Sequence, residues 1–232
     1  PTPSCPPGFE PLPHNNNTNN NNNNTFNGSA TVYGLLMMDA ANAFNLINRV
    51  VGRWNARVMW PEASTFLHNT YKNPSPLVIR GHPYFLNSCE GVTQGYPMSM
   101  MFYALASVPL IAVRREGHPK AIQTWYADDS AANGELHQLR AWMEEGLAVK
   151  GPPRGYFPEP TKSKLLVRPE DTEEAEKVFA GTGVEVVTDS GCRFLGGFLG
   201  TEEGVRERVD EKVRGWVHKV QRLAEVARVD PQ

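Results

Sequence analysis

Two neighbouring carboxylates, Asp128 and Asp129, are the residues of this sequence best suited to carry chemistry. They follow an apolar and aromatic run that ends at Trp125 and Tyr126, and a short stretch ending at Gly134 comes next, which predicts a hairpin tip. Adjacent anionic side chains repel each other, and a hard divalent cation such as Mg²⁺ relieves that repulsion while leaving positions for phosphate and water. Taken alone, the pair is also compatible with a solvated turn whose Asp side chains bond nearby backbone.

A third carboxylate, Asp39, follows a short apolar run of strand length, residues 32–38. A carboxylate at the end of a strand emerges at the edge of the sheet, where it can face the tip of a hairpin. Together with Asp128 and Asp129 it would form a three-carboxylate cluster able to hold two cations about 4 Å apart, a plausible site for phosphoryl transfer. The alternative is that Asp39 caps a helix that begins at Ala40.

Length and composition narrow the class of protein. The chain has 232 residues, of which 40% are hydrophobic, enough for one large domain or a core domain with an appendage. Its net charge of −2 is unlike that of a dedicated, strongly basic nucleic-acid binder, although basic residues can still line a single channel.

The three cysteines lack CxxC spacing, which argues against a zinc site or a disulfide framework and predicts an intracellular location, in the cytoplasm or the nucleus. No apolar run reaches the length of a membrane span, so we expect no membrane association. Since the first residue is Pro rather than Met, we expect the chain to be a piece of a longer protein.

The order of predicted elements follows from periodicity and from turn residues. Residues 1–30 are rich in Pro and then in Asn, which predicts a disordered tail. Helical spacing predicts helices over 44–54, 62–71, 97–115, 136–147, 173–179 and from residue 203 onward. Strands are predicted at 32–38 and 184–187, with a hairpin over 77–86 and a Gly-punctuated turn at 194–197.

Five segments, in this order, resemble the motifs of reverse transcriptases. Asp39-Ala-Ala-Asn-Ala-Phe44 resembles their first palm motif, and Gly91-Val-Thr-Gln-Gly-Tyr-Pro-Met-Ser99 resembles their Gly-x-x-Gln-Gly-x-Pro-x-Ser segment. Tyr126-Ala-Asp-Asp129 is similar to the Tyr-x-Asp-Asp box, Gly155-Tyr-Phe-Pro-Glu-Pro-Thr-Lys162 to the lysine segment, and Phe194-Leu-Gly-Gly197 to the primer-grip turn. The resemblance covers about residues 31 to 200 and is closest to the non-LTR retrotransposon and group II intron branch.

This resemblance implies an α+β fold, the palm of a right-hand polymerase with an antiparallel sheet backed by helices, partial fingers and the start of a helical thumb. The expected organisation is a disordered tail over 1–30, a palm domain over 31–200, and an amphipathic helix opening the thumb over 201–232. The implied activity is RNA-templated, primer-dependent DNA synthesis, with an RNA template, a DNA primer and deoxynucleotide triphosphates as partners. The implied cofactor is a pair of Mg²⁺ ions, with Mn²⁺ as an alternative. The resemblance leaves the oligomeric state open.

Carried over motif by motif, the resemblance assigns catalytic roles. Asp39 and Asp128 would ligate the two metals with Asp129 as a supporting carboxylate, and Lys162 would donate a proton to the leaving pyrophosphate. Phe44 would be a steric gate whose ring leaves no room for a 2′-hydroxyl, the group that distinguishes RNA from DNA. The alternative for Phe44 is an ordinary core aromatic.

The resemblance also assigns binding roles, and each has a structural alternative, such as a plain β-turn or a solvated lysine. The residues implied to contact the incoming nucleotide or template are Gly91, Gln94, Gly95 and Tyr126. Those implied to hold the primer end are Phe194, Leu195 and Gly196. Local positive charge adds Lys150, Arg154 and Lys164 as candidates for contact with a nucleic-acid backbone, and Lys164 competes with Lys162 for the catalytic role.

The chain departs from the family pattern in ways that define competing hypotheses. Tyr96 replaces an acidic residue, Met100 a Pro and Glu159 an Asn, and an Asn tract precedes Asp39 where a fingers segment would supply Lys and Arg to the triphosphate. A palm without fingers is expected to bind nucleotide weakly. The second hypothesis is therefore a degenerate retroelement remnant that binds nucleic acid or protein without catalysis. A third, an RNA-dependent RNA polymerase, is disfavoured by the ring of Phe44.

Overall fold

The computed structural model describes residues 31–81, 83–188 and 191–229, and the predicted disordered tail, 1–30, lies outside these ranges. In chain order the strands are β1 (Tyr33–Met38), β2 (Ser75–Val78), β3 (Phe85–Ser88), β4 (Ile122–Tyr126), β5 (Asp129–Glu135), β6 (Lys164–Leu166), β7 (Glu185–Val187), β8 (Cys192–Phe194) and β9 (Gly197–Leu199). The helices are α1 (Ala43–Leu46), α2 (Arg49–Met59), α3 (Pro61–Tyr71), α4 (Ser99–Gly117), α5 (Leu136–Ala141), α6 (Ala148–Lys150), α7 (Thr172–Val178) and α8 (Glu202–Val229). A π-helical stretch, Trp142–Leu147, joins α5 to α6.

The central element is a five-stranded sheet with the strand order β4-β5-β1-β6-β7. Its neighbouring strands are antiparallel except for β6 and β7, which run parallel, so the sheet is mixed rather than wholly antiparallel as expected. The hairpins β2–β3 and β8–β9 form separate two-stranded sheets.

The two faces of the sheet carry different apolar clusters because side chains alternate along each strand. Leu36, Met38 and Leu165 point into the main core, which helices cover. Met37 and Ala131 point to the opposite face, where they pack with Val187 and with Cys192 of β8. The β8–β9 hairpin therefore lies across the face of the sheet that carries few helices.

Strand β5 forms although its residues have low intrinsic β-propensity. It is hydrogen-bonded on both sides, to β4 and to β1. Its Ser130, Ala131 and Ala132 are buried, and such small side chains allow neighbouring elements to approach the sheet closely. Tertiary packing thus overrides local preference here.

Three helices differ from the periodicity-based prediction. The predicted helix over 44–54 is broken into α1 and α2, because the side chain of Asn48 accepts hydrogen bonds from the backbone N–H groups of Val50 and Val51 and starts a new helix. The predicted helix over 136–147 contains the π-helical stretch, and α4 begins at Ser99 rather than Pro97.

Apolar side chains also remain on the surface. The predicted C-terminal amphipathic helix is α8, and its apolar stripe is exposed, with Trp216 60% and Leu223 67% accessible. The β2–β3 hairpin exposes Val78 and Phe85 as well. Across the described part of the chain, no helix combines the length and apolarity needed to cross a membrane.

Candidate active site

Asp39 and Asp129 are brought to the same edge of the sheet by strand register. Met38 of β1 pairs with Ser130 of β5, and Asp39 and Asp129 are the next residues along these two strands. A two-residue turn, Ala127-Asp128, joins β4 to β5. Ala127 has a φ of 54°, in the left-handed region that costs a non-glycine residue roughly 1–2 kcal/mol. This turn places Asp128 at the tip of the hairpin.

The backbone around Asp39 is fixed by the loop that precedes β6. The Asp39 N–H donates to Ser163 Oγ at 3.1 Å, and the Asp39 carbonyl accepts from the N–H of Glu159 at 2.9 Å. The Ser163 hydroxyl in turn donates to the Glu159 carbonyl at 2.8 Å. The alternative interpretation of Asp39 as a helix cap is wrong, because Asn42 occupies the N-cap position of α1.

Burial and the charges of neighbouring acids raise the pKa of two carboxyl groups at this edge, Asp39 and Asp129. Burial raises the pKa of Asp39; Lys162 opposes that shift, and Asp128 and Glu159 add to it. Burial likewise raises the pKa of Asp129, with further contributions from the charges of Asp128 and Asp39. The arrangement stores electrostatic repulsion that a bound cation would relieve.

A cavity of about 380 Å³ opens at this edge of the sheet. Its lining residues are Met37, Met38, Asp39, Tyr126, Asp129, Lys162, Lys164, Arg193, Phe194, Leu195 and Gly196. Residues predicted separately from four segments of the sequence therefore share one cavity. Asp39 and Asp129 both line this cavity, whereas Asp128 does not, although its charge acts on Asp39. Sequence reasoning missed Arg193, whose only signal was its place beside Phe194.

The donor chemistry of this edge suits a hard divalent cation, since carboxylate oxygens are the ligands that Mg²⁺ prefers. Among the residues that the structure describes, however, no three His, Cys, Asp or Glu side chains converge closely enough to hold a metal ion. The ligand atoms are therefore of the type that binds such a cation, but they do not converge on a single position.

A buried hydrogen bond lies beneath the carboxylates. The hydroxyls of Ser130 and Tyr156 are 2.9 Å apart, and both residues are buried. Burial raises the pKa of Tyr156, and the charges of Asp128, Asp39 and Asp129 raise it further. The Tyr156 ring also packs edge-on against Trp125 of β4 at 5.4 Å. Tyr156 therefore supports both strands of the hairpin that carries the acids.

The two lysines of the cavity differ in their partners. Lys164 forms an ion pair with Glu185 at 2.9 Å across the parallel strands β6 and β7. Lys162 is exposed and has no ion pair within the described ranges, and its charge acts on Asp39. Lys162 is thus the better placed of the two to act on a bound phosphate.

Phe44 does not line the cavity. Its ring is half-buried and stacks on Tyr103 of α4, with centroids 4.8 Å apart and planes inclined by 18°. Its carbonyl accepts a hydrogen bond from the N–H of Val92 at 2.7 Å. The steric gate stays a prediction, and the ring is held firmly in either role.

Gly91 is enclosed by close packing, and its predicted contact with nucleotide stays a prediction. It is buried, its N–H donates to the Ile47 carbonyl at 3.0 Å, and its carbonyl accepts from Arg49 at 2.7 Å. Its φ is 73°, and a Cβ at this position would lie 2.2 Å from the carbonyl oxygen of Asn45. Gly91 is therefore required for close packing, whereas Gln94 and Gly95 are exposed, and they too stay predictions.

Arg154 is buried, and its predicted contact with a nucleic-acid backbone stays a prediction. It is 4% exposed, its Nη1 donates to the Lys150 carbonyl at 2.9 Å, and burial lowers its pKa. The basic segment is therefore not a continuous charged surface. Lys150 itself is exposed, and its role stays a prediction.

Comparisons with known proteins point to one fold. No family model and no curated protein matches the chain. Among solved structures, apo telomerase from Candida tropicalis aligns with a TM-score of 0.53 and 10% identity over 74% of this chain and 32% of that one. Telomerase from the same organism, in complex with a TWJ fragment of telomeric RNA, aligns with a TM-score of 0.47 and 10% identity over 58% of this chain and 26% of that one. The chain thus spans about a third of the length of the first telomerase, and it shares with it a mixed α/β fold in which helices back a sheet.

Proposed function

We propose that this chain is the palm of a reverse transcriptase of the non-LTR retrotransposon or group II intron type, and that it catalyses RNA-templated, primer-dependent DNA synthesis. One observation carries the proposal. The cavity at the end of β1 and β5 collects Asp39, Asp129, Lys162 and the 194–196 turn, which lie far apart in sequence. Each belongs to a different segment with the resemblance described above.

The fold supports this proposal at a coarser level. Telomerase is a reverse-transcriptase-related enzyme, and the chain is similar in fold to part of one. In the proposal, residues 31–200 form the palm and α8 opens the thumb. RNA template, DNA primer and deoxynucleotide triphosphates would then meet in front of the exposed face of the sheet, beside the β8–β9 hairpin.

Different residues of the chain would perform different parts of the reaction. Asp39, Asp128 and Asp129 would hold two Mg²⁺ ions, which supply activation of the primer 3′-hydroxyl and charge neutralisation on the leaving pyrophosphate. As the 3′-oxygen bonds to the α-phosphorus, its proton would pass to water and the bond to pyrophosphate would break. Lys162 would donate a proton to that leaving group and regain one from solvent. The turn at Leu195 and Gly196 would support the primer end, and Phe44 would exclude ribonucleotides.

A second candidate is the non-catalytic remnant that binds nucleic acid or protein. It is favoured by the spacing of the acids: within residues 31–81, 83–188 and 191–229, no three carboxylates lie close enough together to bind one metal ion. A remnant would keep the fold and the surface of a polymerase without completing the metal site.

Primer extension separates these candidates. We expect the purified chain to extend a DNA primer on an RNA template with deoxynucleotides and Mg²⁺, and Asp39→Asn or Asp129→Asn to abolish extension. Glu176→Gln is the matched control, since it removes one exposed carboxylate on α7, away from the cavity. Salt-sensitive binding of primer-template without extension, in Mg²⁺ and in Mn²⁺, would favour the remnant. Extension that survives Asp129→Asn would discredit the site.

A further inference from the structure

Arg49 is a buried arginine that no motif singled out. It is 5% exposed at the start of α2, and its guanidinium makes three hydrogen bonds. Nε donates to the Gly91 carbonyl at 2.7 Å, Nη1 to the Ser88 carbonyl at 2.8 Å, and Nη2 to Ser88 Oγ at 3.0 Å. The guanidinium also lies over the ring of Tyr71, 5.6 Å from its centroid.

This charge is buried without a carboxylate partner among the described residues. Removing a guanidinium from water costs free energy that hydrogen bonds must offset. The N–H donors of the planar Arg49 guanidinium point toward two carbonyls and a hydroxyl on either side of the turn after β3, and all three accept a hydrogen bond. A packed apolar residue could fill the space but could not tie the two ends of that turn together.

The segment that Arg49 ties down is fixed at further points. The Gly91 N–H donates to the Ile47 carbonyl at 3.0 Å, so the loop backbone lies directly against the end of α1. Beyond it, Ser99 Oγ donates to the Thr93 carbonyl at 2.6 Å. The loop between Ser88 and Ser99, which carries the exposed Gln94 and Gly95, is therefore held at both ends by buried groups.

The same segment holds Phe44 from two sides. The Val92 N–H donates to the Phe44 carbonyl at 2.7 Å, and Tyr103, one turn into the helix that follows the loop, stacks on the Phe44 ring. A shift of the loop would therefore move the backbone and the ring of Phe44 together.

From these contacts we infer that Arg49 is a positioning residue for sugar selection: it clamps the 88–99 loop so that Phe44 and the exposed Gln94 and Gly95 keep one fixed geometry toward the incoming nucleotide. This inference rests on the proposed polymerase function. Arg49 itself is buried and acts only through the loop.

Amide hydrogen exchange tests the clamp without requiring activity. Arg49→Lys keeps the charge but loses the fork, so we expect exchange at the Gly91 and Val92 amides to accelerate about tenfold while the β1 amides are unchanged. Arg57→Lys, an exposed arginine on the same helix, is the control and should leave all these rates unchanged. Ser88→Ala removes the Oγ contact with Arg49 and the hydrogen bond that Oγ donates to the Glu90 carbonyl, and leaves the other two Arg49 hydrogen bonds in place. It should give a smaller acceleration, which covers the case that Arg49→Lys does not fold. Unchanged exchange at Gly91 and Val92 in a folded variant would overturn the clamp.

Steady-state kinetics test the link to sugar selection. We expect Arg49→Lys to raise the KM for deoxynucleotide and to lower the preference for deoxynucleotide over ribonucleotide, each by about tenfold, with kcat little changed. A merely destabilised enzyme would instead lose active fraction, with KM and the preference unaltered, and that result would overturn the inference. If the wild-type chain extends no primer, the proposed function fails. Amide hydrogen exchange then still tests whether Arg49 clamps the loop. Equilibrium binding of dATP and ATP to the wild type and to Arg49→Lys tests the role in sugar selection. An equal loss of affinity for both nucleotides would overturn that role.

Discussion

Asp39 and Asp129 face each other from the ends of adjacent antiparallel strands, one residue beyond the paired Met38 and Ser130. Both carboxyls are partly buried, and each lies in the field of Asp128. Bringing partly buried acids together in this way lowers the stability of the fold, and such destabilising arrangements are typical of functional positions.

Asp129→Asn should stabilise the folded chain at neutral pH in the absence of divalent cations, by up to about 1 kcal/mol after allowance for solvent screening. Because folding raises the pKa of Asp129 above its ordinary 3.8, the folded state binds more protons than the unfolded state between those two values. The contribution of Asp129 to the free energy of unfolding therefore falls as pH rises through that window and stays reduced above it. Urea denaturation in a chelator should show the gain at neutral pH and its disappearance below pH 3.8. A gain that is largest in acid would contradict the electrostatic cause.

Lys162→Gln should lower the single-turnover rate of nucleotide addition by about a hundredfold, the effect typical of losing a general acid. Lys164→Gln should lower it by less than about tenfold, because the Lys164 ammonium is already paired with Glu185. The exposed Lys177→Gln, on α7, controls for the loss of one surface charge. Chemical-quench measurement of the first turnover distinguishes the two lysines. A larger loss for Lys164 would reverse their assignment.

Phe44→Ala should increase incorporation of ribonucleotides relative to deoxynucleotides by about tenfold or more, because the ring that excludes the 2′-hydroxyl is gone. The change also removes the stacking contact with Tyr103, so the variant should be less stable by roughly 1–3 kcal/mol. The ratio of kcat/KM values for the two nucleotides is the informative measurement, since it does not depend on the active fraction. Tyr103→Leu, which also removes the stacking, serves as the control for loosening of the ring. An unchanged ratio would leave Phe44 as a core aromatic.

Tyr156→Phe should destabilise the fold by about 1–3 kcal/mol, because the buried Ser130 hydroxyl loses its partner at 2.9 Å. Removing both hydroxyls, in Tyr156→Phe with Ser130→Ala, should recover part of that loss, since no buried polar group is then left unpaired. A double-mutant cycle by urea denaturation measures the coupling. Additive losses in the two single variants would show that this hydrogen bond does not support the hairpin.

The positions of the three acids could be predicted from the sequence because strand ends and turns leave local signals. An apolar run ending in an acid, and an aromatic run ending in two, place Asp39, Asp129 and Asp128 at element boundaries. Which of the paired acids faces the cavity could not be predicted, because that depends on strand register and side-chain alternation. The register puts Asp129, not Asp128, opposite Asp39.

The sequence did not indicate which basic side chains are buried. The basic run around Lys150 and Arg154 has the composition of a charged surface, yet Arg154 folds inward. Arg49 lies in an amphipathic helix where a basic residue is ordinarily solvated, and only tertiary structure shows its three hydrogen bonds. Long-range packing, rather than local propensity, decides such cases.

Two glycines of the same motif should respond very differently to alanine. A Cβ on Gly91 would lie 2.2 Å from the Asn45 carbonyl oxygen at a φ of 73°, so Gly91→Ala should destabilise the fold by more than about 3 kcal/mol. Gly95 has a φ of 83° but no atom within 4 Å of the added carbon, so Gly95→Ala should cost only about 1 kcal/mol. Thermal unfolding compares the two variants. Because Gly95→Ala should stay folded, any rise in its KM for deoxynucleotide reports a contact between the exposed loop and the substrate; an unaltered KM would remove Gly95 from the nucleotide site and leave Gln94 as the candidate in that loop.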